Sequence, residues 1–121
     1  MTTVHANTTR DALRRLETMV QMAGLDLSTK AMREQISSAF NLIVQQQRLP
    51  DGARKIIDIS EVTGMEGETI TLQPIFEFRQ DGLDAAGTFQ GRLVATGLRP
   101  SFADRIERYG HPLPASLFRE V

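Results

Sequence analysis

The stretch VHANTTRDALRRLETM, residues 4–19, decides how this chain is organised, because it changes from extended to helical character within a few residues. The β-branched run at residues 2–4 predicts the end of a strand. Residues 7–9 (Asn-Thr-Thr) are favourable helix N-caps, and Asp11 places a negative charge in the first helical turn. Apolar residues then recur at helical spacing from Leu13. The stretch therefore predicts a junction between a strand and a helix.

His5 lies at this junction. Enzymes with α/β folds commonly present binding and catalytic side chains where a strand ends and a helix begins. A histidine at a strand end can also form a local hydrogen bond and have no catalytic role. The residues alone leave both interpretations open.

The composition is that of an ordinary globular domain. The 121 residues are 40% hydrophobic and 24% charged with a formal net charge of −1, so no basic surface for nucleic acid is predicted. The sequence contains no cysteine, which excludes a disulfide framework and fits a reducing compartment. No apolar run approaches the ~18 residues of a membrane span, and the N-terminus lacks a signal-peptide pattern. We therefore expect a cytoplasmic protein without direct membrane insertion.

A second helix and a strand are predicted after Gly24, which is a natural helix stop. The helix spans about residues 29–40, with Met32 and Ile36 in its apolar stripe. The strand spans Leu42–Arg48. Its Leu-Ile-Val run is expected to be buried, and its three glutamines form a polar exit.

The next segment predicts a hairpin and a third strand. A Pro-Asp-Gly turn at 50–52 leads into a strand at 54–62, and a glycine-punctuated loop follows. The clearest strand is 68–79, whose alternating apolar residues are expected to share one face: Ile70, Leu72, Phe76 and Phe78. Pro74 lies on that face and lacks an N–H donor, which predicts an edge strand or a bulge.

The C-terminal third predicts a loop at 80–87, a short strand at 88–96 and a third helix that opens at Pro100 and stops at Gly110. The apolar face of that helix comprises Phe102, Ile106 and Tyr109. The tail is expected to dock back onto the body through residues 117–118.

A complete nucleotide site is not predicted within these residues. Residues 82–87 have the G-x-x-x-x-G spacing, but Thr88 stands where a phosphate loop needs lysine, and no helix is predicted to follow. The two histidines, His5 and His111, lack the spacing of metal ligands, and there is no cysteine. We expect this chain alone to bind neither a cofactor nor a metal.

The opening stretch also resembles the His box and following helix of the type II/IV secretion-system ATPases, in particular the Tad/Flp (CpaF-type) pilus-assembly motors. The resembling pattern is T-V-H-A-N-x-x-x-D-A-L-x-R-L-E-T-M at residues 3–19. Further segments resemble that branch in the same order: 22–27 (MAGLDL), 33–36 (REQI), 42–46 (LIVQQ), 51–54 (DGAR), 61–67 (EVTGMEG), 95–100 (ATGLRP), 113–114 (LP) and 117–118 (LF). The resemblance covers essentially the whole chain, and its ordered combination is specific.

The resemblance implies that this chain is the C-terminal portion of a RecA-like P-loop ATPase core, cut just before the His box. Residues 1–49 would complete that core with two helices and a strand, and residues 50–121 would form an appendage. As an isolated chain we expect an α+β fold: two helices, an antiparallel hairpin extended by a third strand, and a C-terminal helix. The parent would be a homo-hexamer that binds ATP and magnesium and powers pilus assembly or secretion.

The resemblance also implies roles for single residues. His5 would be the His-box histidine, which senses the γ-phosphate or contacts the glutamate that orients water. Arg15 and Arg10 would lie at the subunit interface, although Arg15 can equally be a solvated helix residue. The implied partners are the remainder of the ATPase, neighbouring subunits and inner-membrane pilus platform proteins, which would keep the protein cytoplasmic and peripheral to the membrane.

A second interpretation belongs to a different class of protein. The chain would then be a stand-alone, non-catalytic interaction module. It would bind a sibling ATPase or a membrane platform protein through the edge of its sheet.

Overall fold

The computed structural model describes residues 1–24, 26–83, 85–86 and 89–120. Its elements, in chain order, are α1 Thr9–Met22, α2 Thr29–Ala39, β1 Leu42–Arg48, β2 Arg54–Glu66, β3 Thr69–Leu83, β4 Phe89–Ala95, α3 Ala103–Arg108 and a 3₁₀ helix Ala115–Phe118. The α+β class, both long helices and the bounds of β1 agree with the sequence prediction. No helix in the described ranges is long and apolar enough to cross a membrane.

The four strands form one antiparallel sheet in the order β1-β2-β3-β4. β2 and β3 are both longer than predicted. β2 continues through Gly64, where the sequence predicted a loop, and the chain turns at residues 67–68. β3 continues into the predicted loop at 80–87, because its end pairs with β4 and this pairing outweighs weak local strand propensity. Part of that predicted loop, together with Thr88, lies outside the described residues.

The prediction of a strand at residues 2–4 is wrong for this chain. Residues 1–6 have no regular secondary structure. A three-residue β-branched run becomes a strand only when a neighbouring strand supplies ladder hydrogen bonds. Here the segment is instead tied to the sheet by a side chain, since Gln45 of β1 donates to the carbonyl oxygen of Ala6.

A bulge in β3 decides which residues face which way. Ser60 pairs with Pro74 but Ile59 pairs with Phe76, so Ile75 is an extra residue in β3. An extra residue reverses the faces of everything beyond it. The bulge predicted from Pro74 is therefore confirmed, and the alternative of an edge strand is wrong because β3 pairs on both sides.

The bulge also overturns the prediction that four apolar residues of β3 share a face. Ile70 and Leu72 lie with α1 and α2 on what we call the helical face of the sheet. Phe76 lies on the opposite side, the C-terminal face, against the segment after β4. Phe78 follows Phe76 by two residues and shares its face.

Each face has its own core. The buried residues of the helical-face core are Leu13, Met32, Ile36, Val62 and Ile70. Those of the C-terminal-face core are Ile75, Ala103 and Phe118, and the Phe118 ring lies 6.0 Å from that of Phe76. The predicted docking of the tail is thus confirmed for Phe118, while Leu117 remains exposed.

Two further burial predictions are wrong. The Leu-Ile-Val run of β1 is not buried: Leu42 and Val44 are 40% and 51% exposed, whereas Gln45 is only 8% exposed. β1 is an edge strand, and Leu42 and Val44 lie on a part of the C-terminal face that the described residues leave exposed. Tyr109 is 77% exposed and is the C-cap of α3, whose last residue is Arg108.

Candidate functional site

The N-terminus of α1 fixes the backbone around His5. Thr8 is the N-cap in an extended conformation, and its hydroxyl oxygen accepts a hydrogen bond of 3.0 Å from the backbone N–H of Asp11. Satisfying this N–H stabilises the first turn of the helix. His5 and Asn7 precede the cap, and both are exposed.

A cluster of partly buried polar contacts ties this segment to the sheet. We call it the junction anchor, and its members are Ala6, Thr9, Gln45, Asp58 and Ser60. Gln45 Nε2 donates to the carbonyl oxygen of Ala6 at 2.8 Å. Because a carbonyl oxygen only accepts, the amide nitrogen of Gln45 must face it. The hydroxyl of Thr9 donates to Asp58 Oδ2 at 2.7 Å, and that of Ser60 donates to Asp58 Oδ1 at 2.9 Å.

The register of the sheet explains why these groups meet. Gln45 of β1 lies directly opposite Asp58 of β2. Asp58 and Ser60 are two residues apart and therefore share the helical face. Gln45, Ser60 and Thr9 are all buried. Buried polar groups need partners, and in the described chain no buried side-chain nitrogen or oxygen lacks one.

His5 and Arg15, the two residues that the sequence singled out most clearly, line one shallow pocket of about 360 Å³. Its full lining is His5, Ala6, Asn7, Asp11, Arg14 and Arg15. Arg14 lies 3.4 Å from the Asp11 carboxylate, so part of the positive charge is balanced. Arg15 is exposed at the rim. His5 and Arg15 are both exposed and border one open space, and an imidazole and a guanidinium suit contact with an anionic oxygen.

Arg10 is not part of this pocket. Its guanidinium Nη1 donates to the backbone carbonyl of Ile70 at 2.7 Å, which joins α1 to β3. The guanidinium retains further N–H donors. Its predicted place at a subunit interface stays a prediction, as does that of Arg15.

A second pocket of about 350 Å³ lies beside the first, between residues 2–6 and the edge strand β1. Phe40, Val44 and Arg54 contribute to its walls. His5 borders both pockets, so its side chain lies between a cationic surface and a partly apolar groove.

The junction anchor was not predicted from the sequence. The pattern places Gln45 in the polar end of its strand and Asp58 within the strand at 54–62, and neither position indicates a hydrogen-bond partner. One signal was available: Ile43 and Gln45 are two residues apart, so a polar side chain occupies the same face as a core residue. A polar residue at such a position needs a partner.

The side chains that line the His5 pocket suit contact with an anion. In the ranges that the structure covers, no three or more His, Cys, Asp or Glu side chains are grouped to hold a metal. Gly82, the first glycine of the rejected phosphate-loop pattern, lies within β3, and residues 87–88 lie outside the described part. A lone imidazole beside arginines contacts an anion but does not enclose a triphosphate.

Comparison with known proteins adds no assignment. No protein-family model matches the sequence, and no curated protein matches it significantly. The functional conclusion therefore depends on the residues and geometry described above.

Proposed function

We propose that this chain is the C-terminal segment of a hexameric secretion or pilus-assembly ATPase of the Tad/Flp type, in which His5 senses the state of the nucleotide. The observation that carries the proposal is the pocket shared by His5 and Arg15. These two residues occupy matching positions in the ordered resemblance, and they lie ten residues apart in the chain. Their convergence on one open pocket suits a role toward an anion presented from outside the chain.

In this proposal the parts of the nucleotide site are divided between this segment and the upstream part of the ATPase. The phosphate loop and the acidic residues for magnesium would be supplied by the upstream part of the RecA-like core, which residues 1–49 would complete. This segment would contribute His5 toward the γ-phosphate, with Arg15 and Arg10 toward the neighbouring subunit. The assembly would be cytoplasmic and would contact inner-membrane platform proteins.

A second candidate function is favoured by the sheet edge. Within the described residues β1 pairs with β2 alone, and its Leu42 and Val44 are exposed. Such an edge can pair with a strand of another protein. A stand-alone interaction module would use this edge to bind a sibling ATPase or a platform protein and would need no nucleotide.

The test is the substitution His5→Ala in the full-length ATPase that the proposal implies. We expect turnover to fall sharply while nucleotide affinity changes little, because His5 acts on the γ-phosphate state rather than holding the nucleotide. His111→Ala is the matched control, since His111 is the only other histidine and is also exposed. Equal turnover in both variants would overturn the proposal.

The isolated chain provides an independent test. Titration with Mg-ATP in a calorimeter is expected to give no binding tighter than millimolar, because exposed cations alone contribute little. A micromolar dissociation constant would show that the chain has a nucleotide site of its own, and the proposed division of labour would be wrong.

A further inference from the structure

Few hydrogen bonds of the described residues fix the backbone next to His5. Residues 1–6 have no ladder hydrogen bonds, and among the described residues none hydrogen-bonds to the His5 ring. The neighbouring Ala6 is held by Gln45, and Thr9, one residue beyond the N-cap, is held by Asp58. The exposed segment between these two points has its ends fixed on the sheet.

We infer that Gln45, Thr9 and Asp58 are positioning residues for His5. They hold the backbone on both sides of residues 7–8 against the helical face, and this fixes where the imidazole meets the pocket it shares with Arg15. The effect on turnover rests on the proposed function, whereas the effect on the place and order of His5 does not.

The geometry favours positioning over simple stabilisation of the core. Gln45 and Asp58 lie opposite each other on adjacent strands, so the sheet sets the spacing between the two side chains that contact Ala6 and Thr9. Asp58 has both carboxylate oxygens occupied, one by Thr9 and the other by Ser60. The second contact orients the carboxylate toward Thr9, as supporting hydrogen bonds orient side chains in preorganised sites.

The test compares variants of the 121-residue chain by NMR. Thr9→Val removes the hydroxyl while keeping the side-chain shape, and Gln45→Leu removes the donor to Ala6. Thr9→Ser retains the hydroxyl and is the rescue control. Thr18→Val is the matched control for the same change at an exposed position of the same helix.

We expect both disruptive variants to shift the ring signals of His5 and leave those of His111 unchanged. Backbone order parameters at residues 5–7 should fall from about 0.85 to below about 0.6. Thr9→Ser and Thr18→Val should retain the parent values. Unchanged His5 signals in folded Thr9→Val and Gln45→Leu would overturn the inference. Loss of the whole fold in both would also overturn it, because the contacts would then serve global stability.

A kinetic experiment separates this inference from the proposed function. In the full-length ATPase, Thr9→Val should lower kcat about 10- to 100-fold with little change in KM, as a misplaced catalytic group does. Thr9→Ser should restore the rate. If His5→Ala leaves turnover intact, the proposed function is wrong, but the NMR result still decides whether the junction anchor positions His5.

Discussion

The two faces of the sheet are covered in different ways. The helical face is covered by α1 and α2, of 14 and 11 residues, over a core of five buried residues. The C-terminal face is covered by a six-residue helix and a 3₁₀ turn over a core of three. Since burial of apolar surface supplies most of the folding free energy, the helical face should carry most of the stability.

On both faces, however, a carboxylate of β2 accepts hydrogen bonds from the start of the segment that covers that face. Asp58 and Glu61 of β2 are three residues apart, so their carboxylates point to opposite sides of the sheet. Asp58 accepts from Thr9 at the start of α1. Glu61, only 3% exposed, accepts from the backbone N–H of Ser101 at 3.0 Å and from the Ser101 hydroxyl. One strand thus fixes the entry of both covering segments.

The largest effect is expected from a charge in the helical-face core. Ile70→Asp would bury an unpaired carboxylate among α1, α2 and β2, and should cost several kcal/mol, on the order of the whole stability of the chain. Circular dichroism should show loss of both helices and sheet. Gln80→Lys, at an exposed position of the same strand, is the control and should change stability by less than about 0.5 kcal/mol.

The second prediction concerns the C-terminal-face core. Phe118→Ala removes the ring that packs against Phe76 and should cost about 3 kcal/mol. We expect hydrogen exchange to speed up at residues 100–120 while α1 and α2 remain protected, because the two cores are separate. Leu117→Ala, at an exposed position, is the control. Equal loss of protection on both faces would show that the cores unfold as one unit.

Much of the local structure followed from the sequence, because its causes are local. The N-cap at Thr8 and the stripe of Met32 and Ile36 depend on residues within one or two helical turns. The opposing faces of Ile70 and Phe76 were missed, since a bulge at Ile75 is visible only once the pairing register with β2 is known. Pro74 predicted either an edge strand or a bulge, and neither alternative specified on which face the neighbouring residues would lie.

In the candidate site, too, the residues whose role depends on distant parts of the chain could not be predicted from the sequence. The sequence singled out His5 by its position just before the first helix, and both His5 and Arg15 by the resemblance to the secretion ATPases. Gln45 and Asp58 were missed, because their role depends on a carbonyl and a hydroxyl some 40 to 50 residues away in the chain. Such contacts between distant segments leave no periodic pattern.

The third prediction tests the hydrogen bonds between the Glu61 carboxylate of β2 and Ser101. Glu61→Leu leaves the Ser101 N–H and hydroxyl without their acceptor and should cost about 1–3 kcal/mol in chemical denaturation. Hydrogen exchange should show reduced protection of the backbone N–H groups around residues 99–103. Glu66→Leu, at an exposed position of the same strand, is the control. An unchanged free energy of unfolding in Glu61→Leu would mean that apolar packing alone holds the C-terminal segment on the sheet.

The smallest effect on stability is expected from a substitution on the exposed part of the C-terminal face. Val44 is 51% exposed, and Val44→Thr keeps the β-branched shape while replacing a methyl group by a hydroxyl that water can solvate. The free energy of unfolding should change by less than about 0.5 kcal/mol. Ile36→Thr, at a buried position, is the contrasting variant and should cost well over 1 kcal/mol.

Measuring the stability of Val44→Thr at several protein concentrations shows what covers Val44 if the variant is less stable than expected. If Val44→Thr lowers stability by more than 1 kcal/mol, and the loss grows as the protein concentration rises, copies of the chain are covering this part of the face and the variant weakens their association. If the loss is large but independent of concentration, part of the chain itself buries Val44 in solution. In either case the face would not be open, and the exposed edge at β1 would lose its value as evidence for the interaction-module alternative.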